Sequence, residues 1–415
     1  VKVGWRSQYC GVFKLERDGV VYYFLDNEFY FGGDSLYSWN DMEKFIFFQK
    51  AALDALYPLG FRPDVIHCHD WQAGLVPVLL DAQYQKGEFY RGIKTVMTIH
   101  NLRYQGVFNK NDANEMLEFP RRYYTPDKLE YYGDVNFLKA GIVFADFVTT
   151  VSDTYAEEIK QPHFGERLDG LLRAKQGRLG GILNGVDYDV YDPSRDEAIF
   201  YRYNARNFVT GKRQNKLALQ EELGLEQRAE APIVGIVSRL VSQKGIDLIA
   251  AVMDDFMRMD LQIVVLGTGE PQYEELFRRY ARQYGGKVSA NITFDNALAH
   301  RIYAGSDMFL MPSLFEPCGL SQLIALKYGA IPIVREVGGL KDTVFSYNEY
   351  SGEGNGFSFW AYNAHDMLYT VARAANLYRQ SKVWNGIVRA AMKCDYSWGA
   401  SAEHYVNIYQ FITRD

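Results

Sequence analysis

A carboxylate, a glycine turn and a helix start fall together in Pro312-Ser313-Leu314-Phe315-Glu316-Pro317-Cys318-Gly319-Leu320-Ser321-Gln322. An apolar run to Gly329, a strand and Val337-Gly338-Gly339-Leu340 follow. The N–H groups that open a helix have no intrahelical partner and carry the positive end of its dipole, so they attract anions. Pro317 and Gly319 let the backbone come close to a ligand. A carboxylate beside an anion site makes chemical sense when it binds hydroxyls while the amides hold phosphate. A sugar nucleotide offers both. Glycosyl transfer from such a donor expels a diphosphate and builds positive charge at the anomeric carbon, and a site must serve both charges. Arg239 and Lys244 lie five positions apart, at a strand end and in the turn after it. Arginine forks onto phosphate oxygens and lysine supplies a point charge; a pair of solvated surface cations is the plainer alternative.

The elements that would position these groups alternate along the chain. In the N-terminal half, Gly19 to Leu25, Asp64 to Cys68, Lys94 to Ile99, Phe147 to Val151 and Arg178 to Leu183 read as strands. Helices are predicted over 42–57, 73–84 and 137–144, and Ser152 or Asp153 caps the next one. A polar stretch with a helix over 211–223 reads as the connection between domains. A second series follows, with strands 233–237, 262–266, 308–311 and 331–334 and helices near 245–256, 271–284 and 321–328. The near-continuous apolar strands suit parallel sheets buried on both faces. The predicted organisation is α/β: residues 1–187 form an N-terminal domain, 188–230 the connection, 231–395 a second domain, and 396–415 a last helix. Two doubly wound Rossmann-like domains facing a cleft are the expected architecture, with ligands beyond the carboxyl ends of the strands. His69, His100, Arg239, Gly267 and Ser313 all follow apolar strands in this reading.

Bulk properties set the bounds. The chain has 415 residues, too many for one ordinary core. Its net charge of −6 gives no general attraction to nucleic acid, and no apolar run reaches membrane-spanning length. The four cysteines are scattered with no C-x-x-C pair, which argues against a disulfide framework or a structural zinc and favours a reducing cytosol. Cys318 has no local base and reads as a small buried filler more readily than as a reactive thiol. Aromatic residues make up 15% of the chain; packing accounts for most of them, stacking on sugars for some.

Two metal readings are weak. His67-x-His69-Asp70 lacks a distant Cys or His pair to complete a tetrahedral zinc site. Asp187-x-Asp189 sits on a turn at the domain boundary, and the Arg239/Lys244 pair removes the need for a divalent cation. No metal and no cofactor is expected. Gly267-Thr268-Gly269 is too short a glycine signature for dinucleotide binding.

The Pro312 to Thr343 stretch resembles the glycogen and bacterial starch synthases, GT-B glycosyltransferases that extend α-1,4-glucan from ADP-glucose. The likeness runs along the whole chain through His67-Cys68-His69-Asp70-Trp71, His100-Asn101-Leu102, Asn184-Gly185-Val186-Asp187 and Ser238-Arg239-Leu240 with Gln243-Lys244-Gly245. It implies a retaining transfer of glucose from ADP-glucose to the non-reducing end of an α-1,4-glucan in the bacterial cytoplasm. It implies that residues 1–187 are the acceptor side, that 231–395 bind the nucleotide sugar, and that the helix over 396–415 crosses back to the first domain. It implies that Arg239 and Lys244 bind the diphosphate, that Glu316 lies beside the glucose, and that Cys318, Gly319, Leu320 and Ser321 line its hydroxyls and phosphate. His100 would reach the donor glucose, Asp70 would accept from sugar hydroxyls, act as a weak base or orient its loop, and Trp71 would pack. Phe294 matches an aromatic that stacks on the nucleotide base, with core packing as the alternative. Asn184 would bond a substrate or serve as a left-handed turn residue. Gly338 and Gly339 would admit the donor or form a simple turn. The family starts with a strand and a Lys-x-Gly-Gly loop that this chain lacks, so an N-terminally truncated chain is expected. The alternatives are an inactive glucan- or nucleotide-binding fragment, or a related GT-B enzyme using UDP-glucose or, through pyridoxal phosphate, glucose 1-phosphate.

Overall fold

The computed structural model describes every residue except Lys86 and Asp415. The chain divides into two compact units: Val1–Val151, Ala156–Gly181 and Tyr405–Asp415 form the first, and Ser152–Tyr155 with Ile182–His404 the second.

The first unit is built on a parallel sheet of β1 (Val65–His69), β2 (Lys94–Ile99), β3 (Phe147–Thr150) and β4 (Leu179–Gly181), in the order β4-β3-β2-β1. Beyond Lys94, β2 is buried at every position, as its unbroken Thr-Val-Met-Thr-Ile run requires of a central parallel strand. The helix Asp41–Leu56 starts with Asp41 and Glu43 at the positive end of its dipole and buries Phe45, Ile46, Phe47 and Leu53. Two expectations change here. The strand expected from Gly19 is one arm of an exposed antiparallel hairpin, Gly11–Arg17 with Val20–Asp26. Asp18 and Gly19 turn it, both at positive φ, the conformation that a two-residue hairpin loop demands. Charged residues interrupt the first arm and hide its strand pattern. The helix expected over 73–84 is broken into Trp71–Ala73, Val76–Leu79 and a wider turn at Leu80–Tyr84, with Pro77 withholding an N–H near its start.

The second unit carries β5 (Ile233–Val237), β6 (Gln262–Leu266), β7 (Val288–Asn291), β8 (Met308–Met311), β9 (Ile331–Arg335) and β10 (Phe357–Phe359). All pairings are parallel, in the order β7-β6-β5-β8-β9-β10. Relabelled from its own first strand, this is the 3-2-1-4-5-6 order of a dinucleotide-type sheet, whose switch point lies between β5 and β8. Arg239 follows one of those strands and Glu316 the other. Residues 188–230 are counted wholly in this unit, and they do not run free. Leu219 and Leu225 join Ile233, Val264, Leu266, Leu298 and Ile302 in one core cluster. The helix Phe208–Glu222 also buries Lys216, which pairs with Asp307 at 2.8 Å. Lys212 is buried beside it and donates to the carbonyls of Ala304 and Tyr328. Polar residues whose partners are all internal look solvated in sequence and are buried in fact. The helix expected over 245–256 breaks at Val252 into Ile246–Ala251 and Met253–Arg258.

The last helix, Trp398–Thr413, has its residues from Tyr405 onward in the first unit. Among the described residues no helix is long and apolar enough to cross a membrane.

Candidate active site

At the switch point of the second unit, the Lys244 ammonium lies 2.7 Å from Glu316 Oε2. Ser313 Oγ donates to the same carboxylate oxygen at 3.1 Å. Glu316 is only 7% exposed. Burying a carboxylate is costly unless it is paired and hydrogen-bonded, and here it is both. Glu316 takes up one of the three ammonium donors, leaving the others for a ligand.

Glycine sets the geometry around the pair. Gly245 (φ +74°) follows Lys244 and lies against the Pro312 carbonyl, where a Cβ would overlap it. Gly338 (φ +46°) and Gly339 face the carbonyls of Glu316 and Cys318 in the same way, and Gly339 N–H donates to Glu316 O at 3.1 Å. These two glycines seat the Glu316 loop on the following helix, so close backbone packing accounts for them. Gly338→Ala places a side chain at positive φ against that carbonyl. It is expected to destabilise the protein by about 1–3 kcal/mol, as strained backbone positions do, and to lower activity through the displaced loop. Urea denaturation and initial rates check this.

Past Gly319 (φ +74°) the helix Ser321–Tyr328 begins at Leu320, whose side chain makes no cap hydrogen bond to the first N–H groups. Gln322 holds the turn by donating to the Cys318 and Gly319 carbonyls. Ser152 Oγ donates to Pro317 O at 2.6 Å. Burial pushes the Cys318 thiol up to about 12, with the Asn184 backbone partly opposing it. The thiol stays protonated, in keeping with a filler.

Arg239 is exposed, and its guanidinium touches Gln243 Oε1 at 3.3 Å. The loop Gly267-Thr268-Gly269 supports it: Gly267 and Gly269 lie against the Ser238 and Leu240 carbonyls, and Leu240 N–H donates to Thr268 O. That loop therefore braces Arg239. Phe294, on the loop after β7, is 92% exposed, which overturns core packing. Asn184 is partly buried in the same unit.

The first unit holds a separate polar cluster. Both ring nitrogens of His67 meet hydroxyls, Tyr409 at 2.7 Å and Thr98 at 2.5 Å. That leaves none for a metal, and among the described residues no group of three His, Cys, Asp or Glu could hold one. His69 Nδ1 lies 2.9 Å from His100 Nε2, so one ring donates and the other accepts. Asp70 follows at φ +56°, a strained conformation for a non-glycine residue, of the kind that clusters at functional sites. Its Oδ1 accepts from His100 N–H at 2.8 Å, which ties the two loop ends together. Burial raises the Asp70 carboxyl, opposed by the N–H groups of His100 and Asn101. Trp71 packs edge-on against Phe45, over Gly106.

Burial, and then its neighbouring imidazoles, lower His67 to about 3 from 6.5. His69 is lowered to about 4, by burial and then by His100. Below pH 6.5 the unfolded chain binds protons that the folded state refuses, so stability falls as pH drops from 6.5 towards 3. Discounted for partial exposure, His67 is expected to contribute a loss on the order of 1 kcal/mol by pH 5. Urea denaturation at both pH values checks it, and His67→Gln should shrink the difference.

Known proteins match this chain along its length. Residues 1–174 match the starch synthase catalytic domain family, and 221–385 match glycosyl transferases group 1. A glycogen synthase from Lachnospira eligens is 57% identical over 412 residues, 99% of this chain and 86% of its own. The chain belongs to the glycogen synthase family. A second relative, the glycogen synthase of Geobacillus thermodenitrificans, is 52% identical over 415 residues, covering 100% of this chain and 85% of that one. Among solved structures, the catalytic domain of starch synthase IV from Arabidopsis thaliana, bound to ADP and acarbose, aligns with a TM-score of 0.92 at 32% identity. That alignment covers 100% of this chain and 87% of the other. Sucrose-phosphate synthase from Thermosynechococcus elongatus shares the fold at a TM-score of 0.58 and 19% identity, over 89% of this chain and 78% of its own. The protein is a glycosyltransferase of the GT-B class.

Sequence reading gave no role to Arg335 or Tyr362. Arg335 donates to Leu314 O and the Tyr362 hydroxyl lies against Ser242 O, and no local spacing announces contacts between segments so far apart.

Proposed function

We propose that this member of the glycogen synthase family transfers glucose from ADP-glucose to the non-reducing end of an α-1,4-glucan, with retention of anomeric configuration, in the bacterial cytoplasm. The observation that carries the reading is the Lys244–Glu316 pair at 2.7 Å, at the switch point of the sheet and beside an uncapped helix start. In the reaction the bond from the anomeric carbon to the diphosphate oxygen breaks and its electrons stay with the diphosphate. The acceptor hydroxyl oxygen forms the new bond and gives up its proton to the departing diphosphate oxygen. Arg239 and Lys244 neutralise the leaving diphosphate, and the N–H groups from Gly319 to Ser321 bind its oxygens. Glu316 accepts from the glucose hydroxyls and holds the Lys244 ammonium. His100 and Asp70 serve the glucosyl group, Phe294 stacks on the base, and Asn184 bonds a substrate hydroxyl.

The test is incorporation of label from radiolabelled ADP-glucose into glycogen, with UDP-glucose and glucose 1-phosphate as competing donors. Incorporation from ADP-glucose, removable by an exo-acting amylase, is expected. No incorporation, or preference for another donor, overturns the reading.

A further inference from the structure

Lys244 and Glu316 are 72 positions apart in the chain. The turn Ser242–Lys244 and the loop after β8 must therefore be held together by something other than sequence. One tie is main-chain: Leu314 N–H donates to Gln243 O at 2.9 Å. The other is a pair of side chains from outside both segments. Arg335, at the end of β9, donates through Nη1 to Leu314 O at 2.6 Å and reaches Ser313 O at 3.4 Å. Its Nε donates to Trp360 O at 3.3 Å. The guanidinium lies 5.4 Å from the centre of the Tyr362 ring. The Tyr362 hydroxyl in turn lies 3.1 Å from Ser242 O and 2.6 Å from Asp247 Oδ1. Arginine thus grips the Glu316 loop, tyrosine grips the Lys244 turn, and the two grips are stacked on each other.

We infer that Arg335 and Tyr362 are positioning residues, a clamp that sets the Lys244–Glu316 separation for diphosphate departure. This rests on the reading above, in which that pair serves the donor. Arginine suits the task. Its planar fork spans neighbouring carbonyls, it keeps its charge, and it stacks on an aromatic face; lysine does none of this as well. The clamp holds the main-chain oxygens of Leu314 and Ser242 and the Asp247 carboxylate, so it bears on the reaction through where it leaves Lys244 and Glu316.

The experiment is a pair of mutant cycles on the whole protein. Rates of glucose incorporation from radiolabelled ADP-glucose are measured for Arg335→Met, Arg335→Lys and Tyr362→Phe, each alone and with Lys244→Ala. A displacement of about 1 Å at reacting groups costs about a hundredfold, so Arg335→Met is expected to lower kcat by roughly ten- to a hundredfold. Arg335→Lys should fare little better, because charge without the fork does not clamp, and Tyr362→Phe should cost about fivefold from its lost hydroxyl. KM for glucan should stay within about twofold. In the Lys244→Ala background each of the three losses should shrink to what the shift of Glu316 alone costs. A full, independent loss there overturns the clamp, as does an ADP affinity by calorimetry that falls as much as kcat, which would place Arg335 on the ligand itself. The second cycle needs no turnover: the coupling between Lys244→Ala and Glu316→Gln is read from urea denaturation, with and without Tyr362→Phe or Arg335→Met. The clamp requires either background to shrink that coupling, and an unchanged coupling in both overturns it. A wild type that incorporates no glucose sinks the functional reading instead, and the second cycle still decides the clamp.

Discussion

Lys244→Ala is expected to lower kcat by on the order of a hundredfold while KM for glucan changes little, because one preorganised cation facing developing charge contributes that much. At about 1.4 kcal/mol per tenfold, this asks roughly 2.7 kcal/mol of the ammonium. The side chain has two burdens, however. It neutralises the leaving diphosphate in the proposed reaction, and it partners Glu316, which is 7% exposed. Removing it leaves a buried carboxylate with Ser313 Oγ donating to it, at a stability cost of about 1–3 kcal/mol. The burdens separate in the double variant. Lys244→Ala with Glu316→Gln removes the uncompensated charge, so stability should recover relative to Lys244→Ala while the rate stays low. Urea denaturation and initial rates on the three proteins decide this. If rate returns together with stability, Lys244 acts on folding alone.

Glu316→Gln is expected to cost about as much in rate, on the order of a hundredfold. The amide has nearly the same shape, so the loop, its glycine seat and Ser313 stay in place. What goes is the negative charge, which orients the ammonium at 2.7 Å and accepts strongly from sugar hydroxyls. Charge-assisted hydrogen bonds are about twice as strong as neutral ones, and the loss should fall on kcat more than on ADP affinity, since ADP carries no glucose. Steady-state kinetics with calorimetry on ADP measures the split. Unchanged kcat would remove Glu316 from the glucosyl step, whatever its distance from Lys244.

Much of this was legible in the linear chain. Arg239 and Glu316 stand immediately beyond apolar runs that could only be buried strands, and the rule that parallel sheets bind at strand ends placed them before any coordinates. Gly319 announced a turn, and Gly338-Gly339 read as admitting the donor or forming a simple turn, whereas they lie against the carbonyls of Glu316 and Cys318 in a different segment. The polar stretch at 188–230 misled because Lys212, Asn215 and Lys216 are buried against internal partners. Hydropathy cannot tell a satisfied buried lysine from a solvated one. Phe294 left two readings open, and 92% exposure closed one of them. The His67-x-His69 spacing was weak as a metal signal in sequence, and the partners of the first ring, the hydroxyls of Thr98 and Tyr409, could not be read there.

What residue order alone determined was local: where strands end, where the backbone must turn at positive φ, which helix starts can hold an anion, and which side chains stand there. Steric limits and hydrogen-bond inventory act over a few residues, so a string of letters suffices to read them. The partnership of Lys244 with Glu316, the grip of Arg335 and Tyr362 on their two segments, and the sharing of a proton between His69 and His100 were settled by sheet order and packing. Those contacts join segments dozens of residues apart, and no local preference encodes which parallel strands become neighbours until a common core is buried.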